Sequence, residues 1–493
     1  MSTENFDAIV VGSGAGGAAA AYQLVNSGLR VLLIEKGGSL PRDGSTLDVD
    51  RVVRQGEFLA REPWVDSQGR RVVPEEHFNL GGKTKWYGAA LLRFDPQEFA
   101  ADAAFSCRSW PVPYRELEPY YQQAESLLGV RHIEVEPDLK QIIARLATSG
   151  GHWQHSPIPM GLSSHITDNR LEAAHFDGFA SVADLKADAE NSFLARIAGQ
   201  QNLTLLKGIE VTELLGFPGD PARIAGVRLD DRREFFAARV LLAAGAMHSP
   251  RLLSRYLATA SLTRTLPAAS QVGRNLKLHM LTAMVAFGPR RITDLIRKTA
   301  LLTHAHYAHS SVQPLGFNAE LIATLLPKFL PTWLARPMSE RAYGFFLQTE
   351  DGSDERNAIS ERGSPQAVVR VFDYDGRRLS ASEREHSHFA RALQVSLLKS
   401  GLLAFTKRIG LAGTAHVCGT LICGNDPADS VVNAAGAVHG MRGLYVVDGS
   451  VLPRSSRVNP SLTIYAWALR TATLIARSAR TEPNNRTVAE VTS

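Results

Sequence analysis

The chain has 493 residues, 44% of them hydrophobic and 21% charged, with a formal net charge of +5. This composition provides for a sizeable core and excludes a disordered chain; at roughly 100–200 residues per domain it points to two to four domains or one large two-lobed body. The basic residues are scattered, with no basic run interleaved with aromatics, so nucleic acid is not an expected partner, and the three cysteines, Cys107, Cys418 and Cys423, are too few for a disulfide framework and suit a reducing compartment.

The opening residues, MSTENFDAIVVG, contain no basic n-region, apolar h-region or cleavage site, so a cytoplasmic location is expected rather than export by a standard signal. No uninterrupted apolar stretch is long enough to span a bilayer. The run Ala8 to Val11 reads as a buried parallel strand. It ends in Gly12-Ser13-Gly14-Ala15-Gly16-Gly17, a G-x-G-x-x-G turn, followed by an alanine-rich helix expected over 18–26, a stop at Gly28, and a second strand over 31–34 leading to Glu35 and Lys36. Gly12 permits the tight turn, Gly14 lets backbone approach a pyrophosphate, and Gly17 lets helix and strand pack closely. The helix N-terminus then offers unpaired N–H groups and a favourable dipole to phosphate, and Glu35 stands where a carboxylate accepts ribose hydroxyls. The motif announces a dinucleotide without separating NAD from FAD.

Residues 40–75 are polar and irregular, and HFNLGGKTKWYGAALLRFDPQEF, residues 77–99, forms a second glycine-rich stretch. SWPVPYRELEPYYQQAESLLGV opens on prolines and continues as an amphipathic helix. Three strands separated by turns are read between NLTLLKGIEVTELLG and EFFAARVLLAAGAMHSPRLL; the last, over 240–243, enters Ala244-Gly245 and a helix, repeating the strand–small turn–helix pattern against the same ligand. Residues 281–410 differ in character. Their apolar segment 321–338 is broken by Pro327, Pro331 and Pro337 and reads as a lid or channel wall, with core packing or a membrane-surface patch as alternatives. TEPNNRTVAEVTS reads as a frayed tail. Near the C-terminus AHVCGTLICG brings His416 close to Cys418 and Cys423, a grouping open to three readings: a metal site, a redox pair, or a proton acceptor.

Five blocks in order resemble the glucose–methanol–choline (GMC) oxidoreductases, FAD-dependent enzymes that oxidise alcohols: VVGSGAGGAAAA, NLGGKTKWYGAAL, VLLAAGAMHSPRLL, QVGRNLKLHM, and the long stretch from HVCGTLICGNDPADS through VVDGSVLPRSSRVNPSLTIYAWALR. The resemblance implies an α/β fold with the two-lobed architecture shared with p-hydroxybenzoate hydroxylase. A Rossmann-like FAD-binding domain, residues 1–100, 195–280 and 411–480, would be interleaved with a substrate-binding domain built on an antiparallel sheet, residues 101–194 and 281–410, with 481–493 as tail. It implies that His416 stands over the flavin's reactive face as general base and that Asn459 is its orienting donor. An alcohol must lose its hydroxyl proton as hydride passes to flavin N5, and a neutral imidazole with an unperturbed pKa near 6.5 suits that task; an amide donor stabilises the developing alkoxide.

The same resemblance assigns cofactor contacts to Gly12, Ser13, Gly14, Ala15, Gly17, Glu35 and Lys36 in the first block, and to Gly81, Gly82, Thr84, Lys85 and Gly88 in the second. Val211 would meet adenine through its backbone, Ala244 and Gly245 would make the second small-residue contact, Asp448 and Gly449 would lie by the ribityl and pyrophosphate, and Pro460 and Ser461 would border the isoalloxazine. Lys85, near the flavin, offers a charge to the anionic reduced form, with a solvated lysine as the alternative. His439 would be structural. The chain has no Cys–x–x–Cys and no second ligand pair at metal spacing, so no metal is expected, and Cys418 and Cys423 read as small buried apolar residues. Departures from the family pattern lie after Gly81-Gly82, where Lys83, Thr84, Lys85, Trp86 and Tyr87 replace small hydroxyl residues and an Asn. No histidine follows the glycines there, which implies noncovalent FAD.

The activity implied is oxidation of a CH–OH group, with a sugar, glycoside or aminoglycoside hydroxyl as substrate, reoxidation by oxygen, a quinone or another acceptor, and no transmembrane segment. A lipophilic alcohol such as a sterol or terpenoid is the alternative substrate; a flavin-containing lyase without net redox and a nicotinamide dehydrogenase are the alternatives of another class.

Overall fold

Four apolar residues in a row, all buried, make Ala8–Val11 the centre of a parallel sheet whose two faces must both be covered. The computed structural model describes residues 6–149, 152–325, 332–364 and 367–481. Five strands form this sheet, in the order Leu444–Val446, Val240–Leu242, Ala8–Val11, Val31–Glu35 and Leu203–Lys207, every neighbouring pair parallel. The first helix, Ala15–Asn26, begins earlier than the alanine pattern suggests because the two glycines ahead of it are helical. Packing overrides their low propensity: a Cβ on Gly16 would lie 1.9 Å from the Val447 carbonyl oxygen, and one on Gly17 would lie 1.8 Å from that of Gly12. Helix Ser461–Thr481 packs against Ala15–Asn26 and against Tyr114–Leu127, the amphipathic helix read after the prolines.

Between the third and fourth parallel strands in chain order the sequence pattern underestimates the folding. Beyond Leu203–Lys207, an antiparallel sheet of Val211–Phe217, Asp220–Leu229 and Glu234–Phe236 precedes Val240–Leu242, making five strands where three are read. The stretch 40–75 is likewise less irregular than it reads: Trp64–Val65 and Arg71–Val72 pair with each other, and Val65 pairs with Val371 of the distant strand Ala367–Asp373.

The second large sheet is antiparallel throughout, in the order Leu403–Arg408, Met280–Phe287, Ala342–Thr349, Tyr307–Pro314, Ala300–His304 and Trp153–Pro157. Period-two alternation divides its residues between two surroundings. Met284, Ala286 and Phe345 join Phe389, Leu393 and Leu397 of helix Ser380–Lys399 in an apolar core, while Leu281 and Phe346 face a cavity on the other side. The segment expected as lid or channel wall includes helices Ala319–Leu325 and Thr332–Ser339, the latter with Pro337 inside it; 326–331 lie outside the described residues, as does the expected tail after Thr481. Leu321 is buried with Leu47, Val49 and Phe179, whereas Trp333 is 76% exposed. No helix among the described residues is long and apolar enough to cross a membrane.

Candidate active site

One cavity of about 510 Å³ reaches from the first glycine turn to His416 and Asn459. Gly12 opens the turn with φ +102°, a conformation that favours glycine, and a Cβ there would lie 2.4 Å from the Ala243 carbonyl oxygen. Gly14 is the opposite case: a Cβ on it would meet nothing within 4 Å, because the position opens into the cavity. The helix starting at Ala15 has no side-chain cap and no acidic residue in its first turn, so its N–H groups are directed at that space.

Glu35 lines the cavity and braces the turn. Its Oε2 accepts from Ser13 N at 2.9 Å and from Ser13 Oγ at 2.6 Å, and its Oε1 accepts from Gly37 N at 2.8 Å. Burial pushes its pKa up against these three bonds. Ser13 Oγ also accepts from Gly81 N at 3.0 Å, so this one hydroxyl joins the two glycine loops. The loops touch: a Cβ on Gly82 would lie 3.2 Å from Gly14 Cα. Lys36 and Val211 line the same wall, Lys36 being paired with Glu62 at 2.5 Å and Glu210 at 3.1 Å.

Ala15, Thr84, Gly88, Ala244, Gly245, Asp448, Gly449, Pro460 and Ser461 also line the cavity. Asp448 organises one side of it. Its Oδ2 accepts from Gly245 N at 2.8 Å and from Ser249 Oγ at 2.5 Å, its Oδ1 accepts from Ser450 N at 2.9 Å, and burial raises its pKa. Gly88 leaves room for the Asp177–Lys298 pair, since a Cβ would lie 2.1 Å from Asp177 Oδ1 and 2.4 Å from Lys298 Nζ and would displace those side-chain ends.

Three of the residues read as cofactor contacts stand behind the wall rather than on it. Gly17 and Gly81 serve backbone packing and the Ser13 bridge. Lys85 is a correction: its buried ammonium is taken by Asp188 at 3.0 Å and Glu190 at 2.6 Å, so it brings no free charge to the cavity. Lys83, two positions earlier, does line the cavity; its Nζ donates to the Thr414 carbonyl at 3.0 Å and to Thr414 Oγ1 at 3.2 Å.

At the far part of the cavity Asn459 Nδ2 donates to His416 Nε2 at 3.1 Å, and Gln313 Nε2 donates to Asn459 Oδ1 at 2.5 Å. The series orients the Asn459 amide and leaves a lone pair, not a proton, on His416 Nε2. Burial, reinforced by His279, Lys298 and Lys83, holds the His416 pKa well below its usual value, so the ring is neutral at neutral pH. Leu281, Leu315, Phe317, Phe346 and Ile409 give this part an apolar wall, and the buried Lys298–Asp177 pair, 3.0 Å apart, stands beside it. Gln313, Asp177 and Lys298 escape the sequence reading because each lies in a stretch without a motif. His279 lies within the fourth block, so a signal for it was available.

Cys418 and Cys423 are buried, with thiol pKa values raised by desolvation. His439 bonds Gly424 O and Ser430 Oγ, each at 3.2 Å, away from the cavity. Cys107, His309 and Glu350 cluster within 4.8 Å of one another elsewhere, but Glu350 is gripped by Arg454 at 2.7 and 2.5 Å and belongs to an ion-pair network.

A parallel sheet with a glycine turn at the C-terminal end of its central strand, set against an antiparallel sheet with a His–Asn pair in the shared cavity, is the architecture of a Rossmann-type flavoprotein oxidoreductase. Residues 6–281 and 367–468 match the two parts of the family described as GMC oxidoreductase, and the chain belongs to that family. It is 30% identical to the 6'''-hydroxyparomomycin C oxidase of Streptomyces lividus, over 96% of this chain and 91% of that protein. It is 29% identical to the paromamine 6'-oxidase of Streptomyces fradiae, over 96% and 91%. The crystal structure of pyridoxine 4-oxidase from Mesorbium loti superposes with a TM-score of 0.66 at 18% identity, covering 97% of this chain and all of that one.

The family implies FAD, and the residues present fit it. The Gly14 position is open, the helix N-terminus beside it is uncapped, and Ser461 Oγ, on the cavity wall at the start of the last helix, is buried without a protein partner.

Proposed function

We propose that this chain oxidises a CH–OH group of an amino-sugar-type substrate, an aminoglycoside hydroxyl in the first place, using noncovalently held FAD. The observation that carries the reading is the His416–Asn459 pair opening onto the same cavity as the Gly12–Gly14 turn. The names of the two relatives near 30% identity support the substrate class. FAD, when bound, supplies the acceptor for two electrons and the carbon-bound hydrogen. The neutral His416 Nε2 takes the hydroxyl proton, a step that contributes about 10²–10⁴-fold. The Asn459 amide N–H, held by Gln313, turns from Nε2 to the developing alkoxide, so proton acceptor and oxyanion donor lie within one hydrogen bond of each other. The two glycine loops, Asp448 and Ser461 hold the cofactor, with Val211 at its adenine end.

Noncovalent attachment is supported by His77, the histidine nearest the glycines in sequence on their N-terminal side. Its Nδ1 is engaged by the Phe58 carbonyl at 2.9 Å, and its ring is stacked on Trp86. The strands of the parallel sheet all fall within 1–100, 195–280 and 411–480, which supports the division into an FAD-binding and a substrate-binding domain; Tyr114–Leu127, packed on the last helix, joins the former. A cytoplasmic location and oxygen or a quinone as acceptor complete the reading. The apolar wall around Phe346 favours a second substrate class, a lipophilic alcohol handled by the same residues.

The test is anaerobic mixing of purified protein with aminoglycosides, glycosides, sterols and aryl alcohols, followed by air. Bleaching of a yellow protein by an aminoglycoside supports the reading. Bleaching by sterols alone transfers it to the lipophilic class. Product without bleaching indicates lyase chemistry, and a colourless protein active only with NAD overturns it. Denaturation that leaves the flavin on the protein overturns the noncovalent attachment.

A further inference from the structure

Two buried nitrogen atoms near the catalytic pair lack hydrogen-bond partners, and they are complementary. One is His416 Nδ1 and the other is His279 Nδ1. Unpaired buried polar atoms are costly and call for an explanation. His279 Nε2 lies 2.8 Å from the Ser456 carbonyl oxygen, which only accepts, so the His279 proton is on Nε2 and its Nδ1 carries a lone pair. His416 Nε2 receives the Asn459 amide N–H, so the proton of the neutral His416 ring is on Nδ1. One orphan is a donor and the other an acceptor. The two rings are neighbours, with centroids 4.9 Å apart and planes at 77°.

We infer that His279 is a positioning residue for His416: a small rotation of the neighbouring rings lets its Nδ1 lone pair accept the His416 Nδ1–H, and this bond keeps the His416 lone pair on Nε2, toward the cavity. The inference rests on the reading of His416 as the base. The arrangement runs in series from the Ser456 carbonyl through His279 to His416 and on to Asn459 and Gln313, with each ring nitrogen assigned one role. When Nε2 takes the hydroxyl proton, His416 becomes imidazolium and its Nδ1–H donates more strongly to the lone pair of the neighbouring ring, as an oriented base requires. Other charged groups do not compete for that proton. Lys298 and Lys83 act on His416 and Asp351 and Glu350 on His279 through space, without a hydrogen bond to either Nδ1. His279 is also held with φ +66°, in the left-handed region that histidine tolerates better than most residues other than glycine.

The experiment is ¹⁵N NMR of the imidazole nitrogens in histidine-labelled holoenzyme, with the His416 signals assigned by their loss in His416→Ala. Wild type shows His416 protonated on Nδ1 and unprotonated on Nε2. In His279→Ala that single tautomer is lost, whereas His279→Asn, which suits a left-handed backbone and places an amide oxygen near the Nδ1 position, preserves it. A wild-type His416 protonated on Nε2 overturns the inference, and so does a His279→Ala holoenzyme that keeps the Nδ1–H tautomer; should His279→Ala not fold, the ¹⁵N–¹⁵N coupling across a hydrogen bond between His416 Nδ1 and His279 Nδ1 in wild type decides, its presence supporting the inference and its absence overturning it. Because the readout needs no substrate, it is independent of the base assignment. Normal flavin reduction in His416→Ala removes the base reading, while the tautomer result bears on His279 alone.

Discussion

Asn459 Nδ2 lies 3.1 Å from His416 Nε2 although 43 positions separate them in the chain. His416 stands in a turn, and Asn459 stands just ahead of the last helix, whose packing on Ala15–Asn26 ties it to the glycine turn. The pair is thus anchored to the same scaffold as the dinucleotide turn.

Replacing His416 by Ala removes the proton acceptor without touching the glycine loops. The variant is expected to purify yellow with a full complement of FAD and to be reduced by its alcohol about 10²–10⁴-fold more slowly. Stopped-flow reduction at wild-type speed would exclude His416 from the mechanism.

The two glycines of the first turn should respond in opposite ways. Gly14→Leu adds a side chain where the protein leaves space, so the fold is expected to survive while FAD is lost. Gly17→Ala drives a methyl into the Gly12 carbonyl, 1.8 Å away, and is expected to prevent folding itself. Circular dichroism together with flavin absorbance reads both, and a stoichiometrically flavinated Gly14→Leu protein would mean that this turn does not hold the pyrophosphate.

Lys85 is expected to matter for stability rather than for the flavin. Lys85→Met leaves Asp188 buried beside Glu190 with no cation and should cost about 3–5 kcal/mol, the usual result of breaking one side of a buried pair. Adding Asp188→Asn should restore part of the loss. Denaturant melts measure this, and a stability change near zero in Lys85→Met contradicts the buried pair.

The depressed His416 pKa, caused first by burial and then by His279, Lys298 and Lys83, has a definite sign in a rate profile. A base works when unprotonated, so lowering its pKa extends activity toward acid. Flavin reduction should hold its rate as pH falls through 6.5 and decline only well below that value. A decline centred at or above 6.5 and absent from a nonbasic control would contradict a buried neutral imidazole.

Much of this protein is legible in its sequence because much of it is local. The strand Ala8–Val11, the left-handed Gly12 and the close approach at Gly17 each follow from a few consecutive residues, and the C-terminal block carries His416 and Asn459 at fixed spacing. Where pattern reading fails, long-range pairing is the cause. Leu203–Lys207 and Val211–Phe217 merge in one stretch of sequence, as do Glu234–Phe236 and Val240–Leu242, because only three residues divide each pair, and Trp64–Val65 is a strand only because Val371 reaches it from the other end of the chain.

The sequence by itself determined the glycine turn, the α/β class and the positions proposed to carry the chemistry, since these depend on backbone permissiveness and on spacing along one chain. Tertiary structure alone decided that Lys85 is consumed by Asp188 and Glu190 while Lys83 faces the cavity, that Gln313 steers Asn459, and that His279 meets His416. The physical reason is that a side chain's partner, burial and protonation are set by groups brought together from remote parts of the chain, and no local pattern records which of them will arrive.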